Sequence, residues 1–142
     1  MALRREHFLI VFIVFFVDQL SKFLVRSYFV QQVKIVSFLQ ISFVRNVGVA
    51  FGFLNSEVFR WPLVAVSVLV LGLLWHHSQR ASDGFVLVCF ALIIAGIAGN
   101  LVDRVFFGSV TDFIDVMVWP VFNLADSALT IGVSGLVYKE FV

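Results

Sequence analysis

The sequence predicts an all-α membrane protein, a four-transmembrane-helix bundle with a small β-rich segment between helices 1 and 2. Three observations carry this. Residues of the AVILMFWYC set make up 61% of the 142-residue chain, and charged residues only 13%, about half the usual ~25%. Four runs reach the ~20 apolar residues that a helix needs to cross a bilayer. A stretch rich in β-branched residues then alternates with period two between the first two runs. The same composition excludes a disordered chain, a nucleic-acid binder with a basic face and an ordinary cytosolic enzyme. A formal charge of +1 gives no long-range steering toward a charged partner.

The first span covers 8–28. Arg4 and Arg5 before an apolar run mimic a secretory signal. However, Asp18-Gln19 follows with no small-residue cleavage site and the apolar residues resume, so the segment reads as an uncleaved helix. Residues 31–55 form the connection to the second span. Its start, from Val33 to Phe43, carries the period-two pattern of a strand or small sheet at the membrane surface. The second span covers 58–75. A short polar loop, His76 to Gly84, leads to the third at 85–101. A half-apolar connector, Asp103 to Trp119, leads to the fourth at 120–138. The whole chain, 1–142, reads as one integral membrane domain. Positive charges divide between the two sides, so counting them leaves the orientation open; only Arg4-Arg5 leans toward cytoplasmic termini.

Ionisable residues inside spans cost about 2.5–3.5 kcal/mol each to insert and are functional candidates by default. Asp18 and Lys22 are four apart and share a helix face. Counted from the start of the span, Asp18 lies ~15 Å deep. An ion pair pinning this helix to its neighbours is the structural reading of the two. Asn46 and Gly48 lie in a turn-like Asn-Val-Gly stretch, where Asn46 could hydrogen-bond a substrate backbone or simply make a turn. Asn100, Asp103 and Arg104 end the third span at spacings of three and four, with an Asp103–Arg104 salt bridge as the structural reading. The small residues Ala95, Gly96, Ala98 and Gly99 before them suit close helix packing in lipid. Asp112 and Asp115 are flanked by apolar residues in the connector. Asn123 and Asp126 open the fourth span. Counted from Pro120, Asp126 lies beyond the first turn, roughly 9 Å inside the apolar boundary, where a dipole-stabilised N-terminal carboxylate is a poor fit.

Two neighbouring carboxylates cannot easily both ionise. They share a proton, so one serves as base while the other serves as acid. Such a pair can hydrolyse a peptide bond without a metal. Other chemistries have less behind them. Cys89, the single cysteine, excludes an internal disulfide and lies mid-span with no histidine near in sequence. His76-His77 is a loop pair, and Ser21 and Ser127 lack a histidine partner. A hard cation held by the aspartates is a further alternative. So are a proton-coupled transporter or channel using the intramembrane Asp and Lys residues, and a non-catalytic scaffold held by buried polar pairs.

Five blocks occur in an order and spacing that resemble the lipoprotein signal peptidases (signal peptidase II). They are Asp18-Gln19-Leu20-Ser21-Lys22, Asn46-Val47-Gly48-Val49-Ala50-Phe51-Gly52, Gly99-Asn100-Leu101-Val102-Asp103-Arg104, Thr111-Asp112-Phe113 and Phe122-Asn123-Leu124-Ala125-Asp126-Ser127. The resemblance covers nearly the whole chain. It implies an intramembrane aspartyl endopeptidase of the bacterial inner membrane that removes the signal peptide from diacylglyceryl-modified prolipoproteins, cutting just before the lipidated cysteine. By motif, Asp112 and Asp126 would be the catalytic pair. Asp18, Lys22, Asn46, Gly48, Asn100, Asp103, Arg104, Asn123 and Ala125 would bind substrate or support the site. The resemblance further implies cytoplasmic termini, a site and β-rich segment on the extracytoplasmic side, and no cofactor or metal. The expected partners are prolipoprotein and membrane lipid, not nucleic acid, and the expected state is a monomer. The chain departs from the common pattern at Val49 and Ile97, which add side-chain bulk, and in a short 115–119 stretch.

Overall fold

The computed structural model describes residues 2–28, 32–48 and 60–142. Helix α1 spans Ala2–Tyr28, α2 Arg60–Ser78, α3 Gly84–Phe107 and α4 Leu124–Glu140. Three strands lie in the connections: β1 Val33–Val36, β2 Leu39–Asn46 and β3 Val110–Asp115. Three helical segments are long and apolar enough to cross a membrane: Arg5–Tyr28, Arg60–Ser78 and Gly84–Phe107. Their outer faces carry large apolar side chains with no protein cover, among them Phe12, Phe16 and Phe23 on α1 and Val66, Leu69 and Leu73 on α2. This inverted surface marks a membrane protein.

The helices differ from the sequence-derived limits in informative ways. The first begins near residue 2 rather than 8. The second runs from Arg60 to Ser78, while residues 58 and 59 lie outside the described residues. The third continues to Phe107, past the expected stop at 101, because its polar end is buried by protein rather than ended by solvent. Gly108 then stops it in the left-handed region (φ 72°), donating its N–H to the Arg104 carbonyl at 3.2 Å, a backbone state that glycine adopts at little cost. The fourth begins at Leu124 rather than 120, because Phe122 is held in a β-bridge to Ile114.

Helix α3 is the centre of the bundle and packs on α1, α2 and most extensively α4. Close approach explains its small residues. A Cβ on Gly96 would collide with the Ala125 carbonyl oxygen and sit 3.1 Å from the Leu129 nitrogen. A Cβ on Gly132 would come within 2.7 Å of the Cys89 carbonyl oxygen. Arg60, opening α2, donates from Nε to the Arg104 carbonyl at 2.8 Å and from Nη2 to that of Val105 at 2.5 Å. It thereby satisfies the Val105 carbonyl at the end of α3 and adds a second donor to that of Arg104, which already accepts the Gly108 N–H.

The expected β-rich segment is present as β1 and β2, although 49–55 lie outside the described residues. The sequence reading missed a third strand within the 103–119 connector. The sheet has the order β1-β2-β3 and is antiparallel throughout. Arg45 faces Thr111, Val44 faces Asp112, and a bulge lies between Ile41 and Val44. The sheet thus ties the α1–α2 connection to the α3–α4 connection, directly beside the polar ends of α3 and α4.

Candidate active site

The polar residues of five separate chain segments converge into one hydrogen-bonded network. Asp112, on β3, accepts from Asn46 Nδ2 at 2.9 Å and from Asn123 Nδ2 at 2.7 Å. Asp126 accepts from Asn100 Nδ2 at 2.7 Å and from the Asn123 backbone N–H at 3.2 Å. Asn123, fully buried, therefore serves both carboxylates. Its own Oδ1 accepts from the Asp126 N–H at 2.9 Å, completing a capping box at the start of α4.

This geometry corrects one inference from the sequence. Because α4 starts at Leu124, Asp126 sits in its first turn, as the third residue after the cap. The helix N-terminus therefore does support this carboxylate. Counting from Pro120 placed it too deep.

Behind the two carboxylates lies a buried charge cluster. Lys22 and Asp18 are 2.8 Å apart and almost wholly inaccessible. Lys22 also donates to Asn100 Oδ1 at 2.9 Å and lies 3.7 Å from Asp103. That bond fixes the Asn100 amide so that its nitrogen, not its oxygen, faces Asp126. Asp18 accepts from the Ala125 backbone N–H at 2.9 Å and from Gln19 at 3.1 Å. A Cβ on Gly99 would strike Asp18 Oδ2 at 2.5 Å, so glycine there admits the carboxylate between helices. The expected pin between helices is thus an ion pair joining α1 to α3 and α4.

Asp103 does not pair with Arg104. Its carboxylate takes Arg26 at 3.3 Å and the Thr111 backbone N–H at 2.9 Å. Adjacent helical residues point about 100° apart, so Asp103 turns toward α1 and β3 while Arg104 turns into the cleft. The sequence reading missed Arg26; its position four after Lys22, on the same helix face, was the available signal. Asn46 is committed to Asp112, and its Oδ1 accepts the Gly48 N–H at 3.1 Å, so it positions a carboxylate.

Asp112 and Asp126 open onto one cleft of about 440 Å³, lined also by Asn46, Gly48, Arg104 and the aromatics Trp119 and Phe122. Burial, opposed by the Asn46 hydrogen bond and reinforced by the Asp126 charge, pushes the Asp112 carboxyl up to about 6. A carboxyl that holds its proton beside a second carboxyl can act as acid to the other's base. Among the described residues no three His, Cys, Asp or Glu side chains form a metal-ligand set.

A helix bundle with uncovered apolar faces and two carboxyl groups on one cleft defines a membrane protein with an acid–base site. The comparisons specify which. The family described as Signal peptidase (SPase) II, Peptidase_A8, matches residues 10–142. The lipoprotein signal peptidase of Syntrophus aciditrophicus is 40% identical over 137 residues, covering 88% of this chain and 85% of that one. That of Halothermothrix orenii is 37% identical over 133 residues, covering 92% and 91%. A bacterial membrane enzyme solved by the in meso method superposes with a TM-score of 0.86 at 30% identity, over 96% of this chain and 87% of that chain. The chain belongs to the signal peptidase II family. The transporter alternative finds no support among these matches.

Proposed function

We infer that this chain removes signal peptides from prolipoproteins, with Asp112 and Asp126 as the catalytic pair of an aspartic endopeptidase. One observation carries the assignment of the pair. Both carboxyl groups line the same cleft, and a single buried residue, Asn123, bonds to both, by its side-chain amide to Asp112 and by its backbone N–H to Asp126. In the reaction, the ionised carboxylate takes a proton from water as the water oxygen attacks the scissile carbonyl carbon. The protonated carboxyl gives its proton to the carbonyl oxygen. The tetrahedral intermediate then collapses: one of its hydroxyls returns its proton to the second aspartate as the C=O re-forms, the C–N bond breaks and the leaving nitrogen takes a proton from the first aspartate. The pair ends with one shared proton, as it began. Arg104, Asn46, Asn100 and Gly48 shape the cleft; Asp18, Lys22, Asp103, Asn123 and Ala125 hold it in place.

The substrate class follows from the relatives, whose names are lipoprotein signal peptidases. A diacylglyceryl-modified cysteine would reach the cleft sideways from the bilayer, its acyl chains lying on exposed apolar helix faces. In this reading α4 is the fourth span. Its 17 residues extend about 25 Å, slightly short of a ~30 Å hydrocarbon core, and its buried start supplies the missing depth. Residues 1–142 act as one domain of the inner membrane, monomeric, with both termini cytoplasmic and the cleft facing the periplasm.

The test is a gel-shift cleavage assay on a diacylglyceryl-modified prolipoprotein and its unlipidated twin. Wild-type protein should cut only the lipidated form. Asp112→Asn and Asp126→Asn should each lose activity at least about a thousandfold, within the range attributed to positioned acid–base groups, while remaining folded. A substantially active variant would remove that residue from the pair.

A further inference from the structure

Side chains leave a strand on alternate faces, and here the two faces of the sheet serve two clefts. Asn46 and Asp112 face the carboxylate cleft. Their neighbours Arg45 and Thr111, which face each other across β2 and β3, line a second cleft of about 270 Å³ together with Arg26, Phe43, Phe107 and Ser109. The proposed cleavage reaction makes no use of it.

Its charge is unbalanced. Arg26 is offset by Asp103. Arg45 forms no ion pair among the described residues; it donates only to neutral oxygens, Ser109 Oγ at 3.2 Å and the Phe107 carbonyl at 3.3 Å. Both hydrogen bonds of Arg26 run through Nη1, which leaves the other edge of its guanidinium unengaged by the described residues. The Arg26 guanidinium lies over the Phe107 ring at 4.2 Å, held in place by the contact.

The depth of the cleft suits one kind of ligand. Arg26 lies 21 residues beyond Arg5, the start of the apolar part of α1, or about 32 Å along the helix. That matches the ~30 Å thickness of the hydrocarbon core, so the cleft opens at headgroup level. The exposed rings of Phe43 and Phe107 stand beside it, where the glycerol and upper acyl chain would lie. Arginine forks match phosphate oxygens in charge and geometry. We propose that this cleft binds the phosphate of an anionic phospholipid headgroup between Arg26 and Arg45, on the opposite face of the sheet from the carboxylate pair.

Native mass spectrometry of the full chain in detergent tests this, with phosphatidylglycerol, diacylglycerol of the same chains and inorganic phosphate as probes. One phosphatidylglycerol should be retained per chain, and the diacylglycerol should not. Arg45→Gln should weaken retention at least tenfold at an unchanged melting temperature, because Arg45 is exposed and its partners are neutral. Should that variant fail to fold, Arg45→Lys keeps the charge but loses the fork, and should show the same direction of change. Equal retention by wild type and variant overturns the site, as does diacylglycerol binding as tightly as phosphatidylglycerol. Inorganic phosphate that binds as tightly as the lipid, in an Arg45-dependent way, overturns the lipid and assigns the cleft to free phosphate.

Discussion

Two aspartate–lysine pairs lie at different depths of the same bundle. Asp18 and Lys22 are 2.8 Å apart with side chains 1% and 0% exposed. Asp83 and Lys139, joining the start of α3 to the end of α4, are 3.0 Å apart with side chains 41% and 48% exposed. The distances are nearly equal, yet the pairs do different work. The inner pair has no water to replace a lost partner, and each member carries further bonds into the carboxylate network. The outer pair is solvated, and Asp83 has an independent duty as the N-cap of α3, accepting from the Phe85 and Val86 N–H groups. Ion-pair length alone therefore says little about consequence; burial and connectivity decide it.

The largest test of that contrast is Lys22→Met. Breaking a buried pair by removing one partner typically costs about 3–5 kcal/mol. The variant should melt far below wild type in detergent and lose cleavage, because the Asn100 oxygen then keeps only the 3.2 Å bond from Asn123 to hold its amide toward Asp126. A double variant, Asp18→Asn with Lys22→Met, should regain much of the stability, since no charge is stranded at position 18. Failure of the double variant to recover would mean that Lys22 acts mainly through Asn100 and Asp103. Unchanged melting in Asp18→Ala would show that the inner pair does not form in the membrane.

A smaller effect separates the network by pH. The folded Asp112 carboxyl sits near 6, above its ordinary 3.8, so the folded state holds this proton more tightly than the unfolded state. Its contribution is greatest below the ordinary value and is lost as pH rises through about 6. Melting temperature should therefore decline over that window in wild type more than in Asp112→Asn. Asn46→Ala removes a donor that favours the ionised form, so its decline should extend to higher pH. A decline identical in wild type and Asp112→Asn would assign the titration to another group.

The smallest effect belongs to Lys139→Ala, which should leave melting temperature and cleavage indistinguishable from wild type. A clear loss would erase the distinction between the two pairs.

The sequence made some of this legible and hid the rest for physical reasons. Apolar length alone locates the helices, because a bilayer sets it. The carboxylates stand out because charge is costly in that setting. What pattern could not reach were partners chosen across the chain. Asp103 takes Arg26 from α1 rather than its neighbour Arg104, and no local spacing reveals that. Strand β3 was hidden because its Thr111 and Asp112 are polar on both faces, each matched to a different cleft. The start of α4 was misplaced because the apolar residues before it, Val121 and Phe122, read as helix, whereas Phe122 pairs with Ile114 as an extended bridge. Residues 49–52, part of the family resemblance, lie outside the described residues.

The sheet also has a bearing on how the protein is made. Asn46 stands 66 residues before its partner Asp112, and the other donor to Asp112 caps the last helix. Chain emerging from the ribosome at about 5–20 residues per second passes through about 1–4 seconds in which the first three helices exist and the pair does not. Asp112 is complete only once α4 has formed its first turn, since Asn123 caps the start of that turn and grips the carboxylate with the same side chain. If the pair acts as proposed, the nascent protein is inert while its own apolar segments are being threaded into the bilayer, and competence arrives with the final step of assembly.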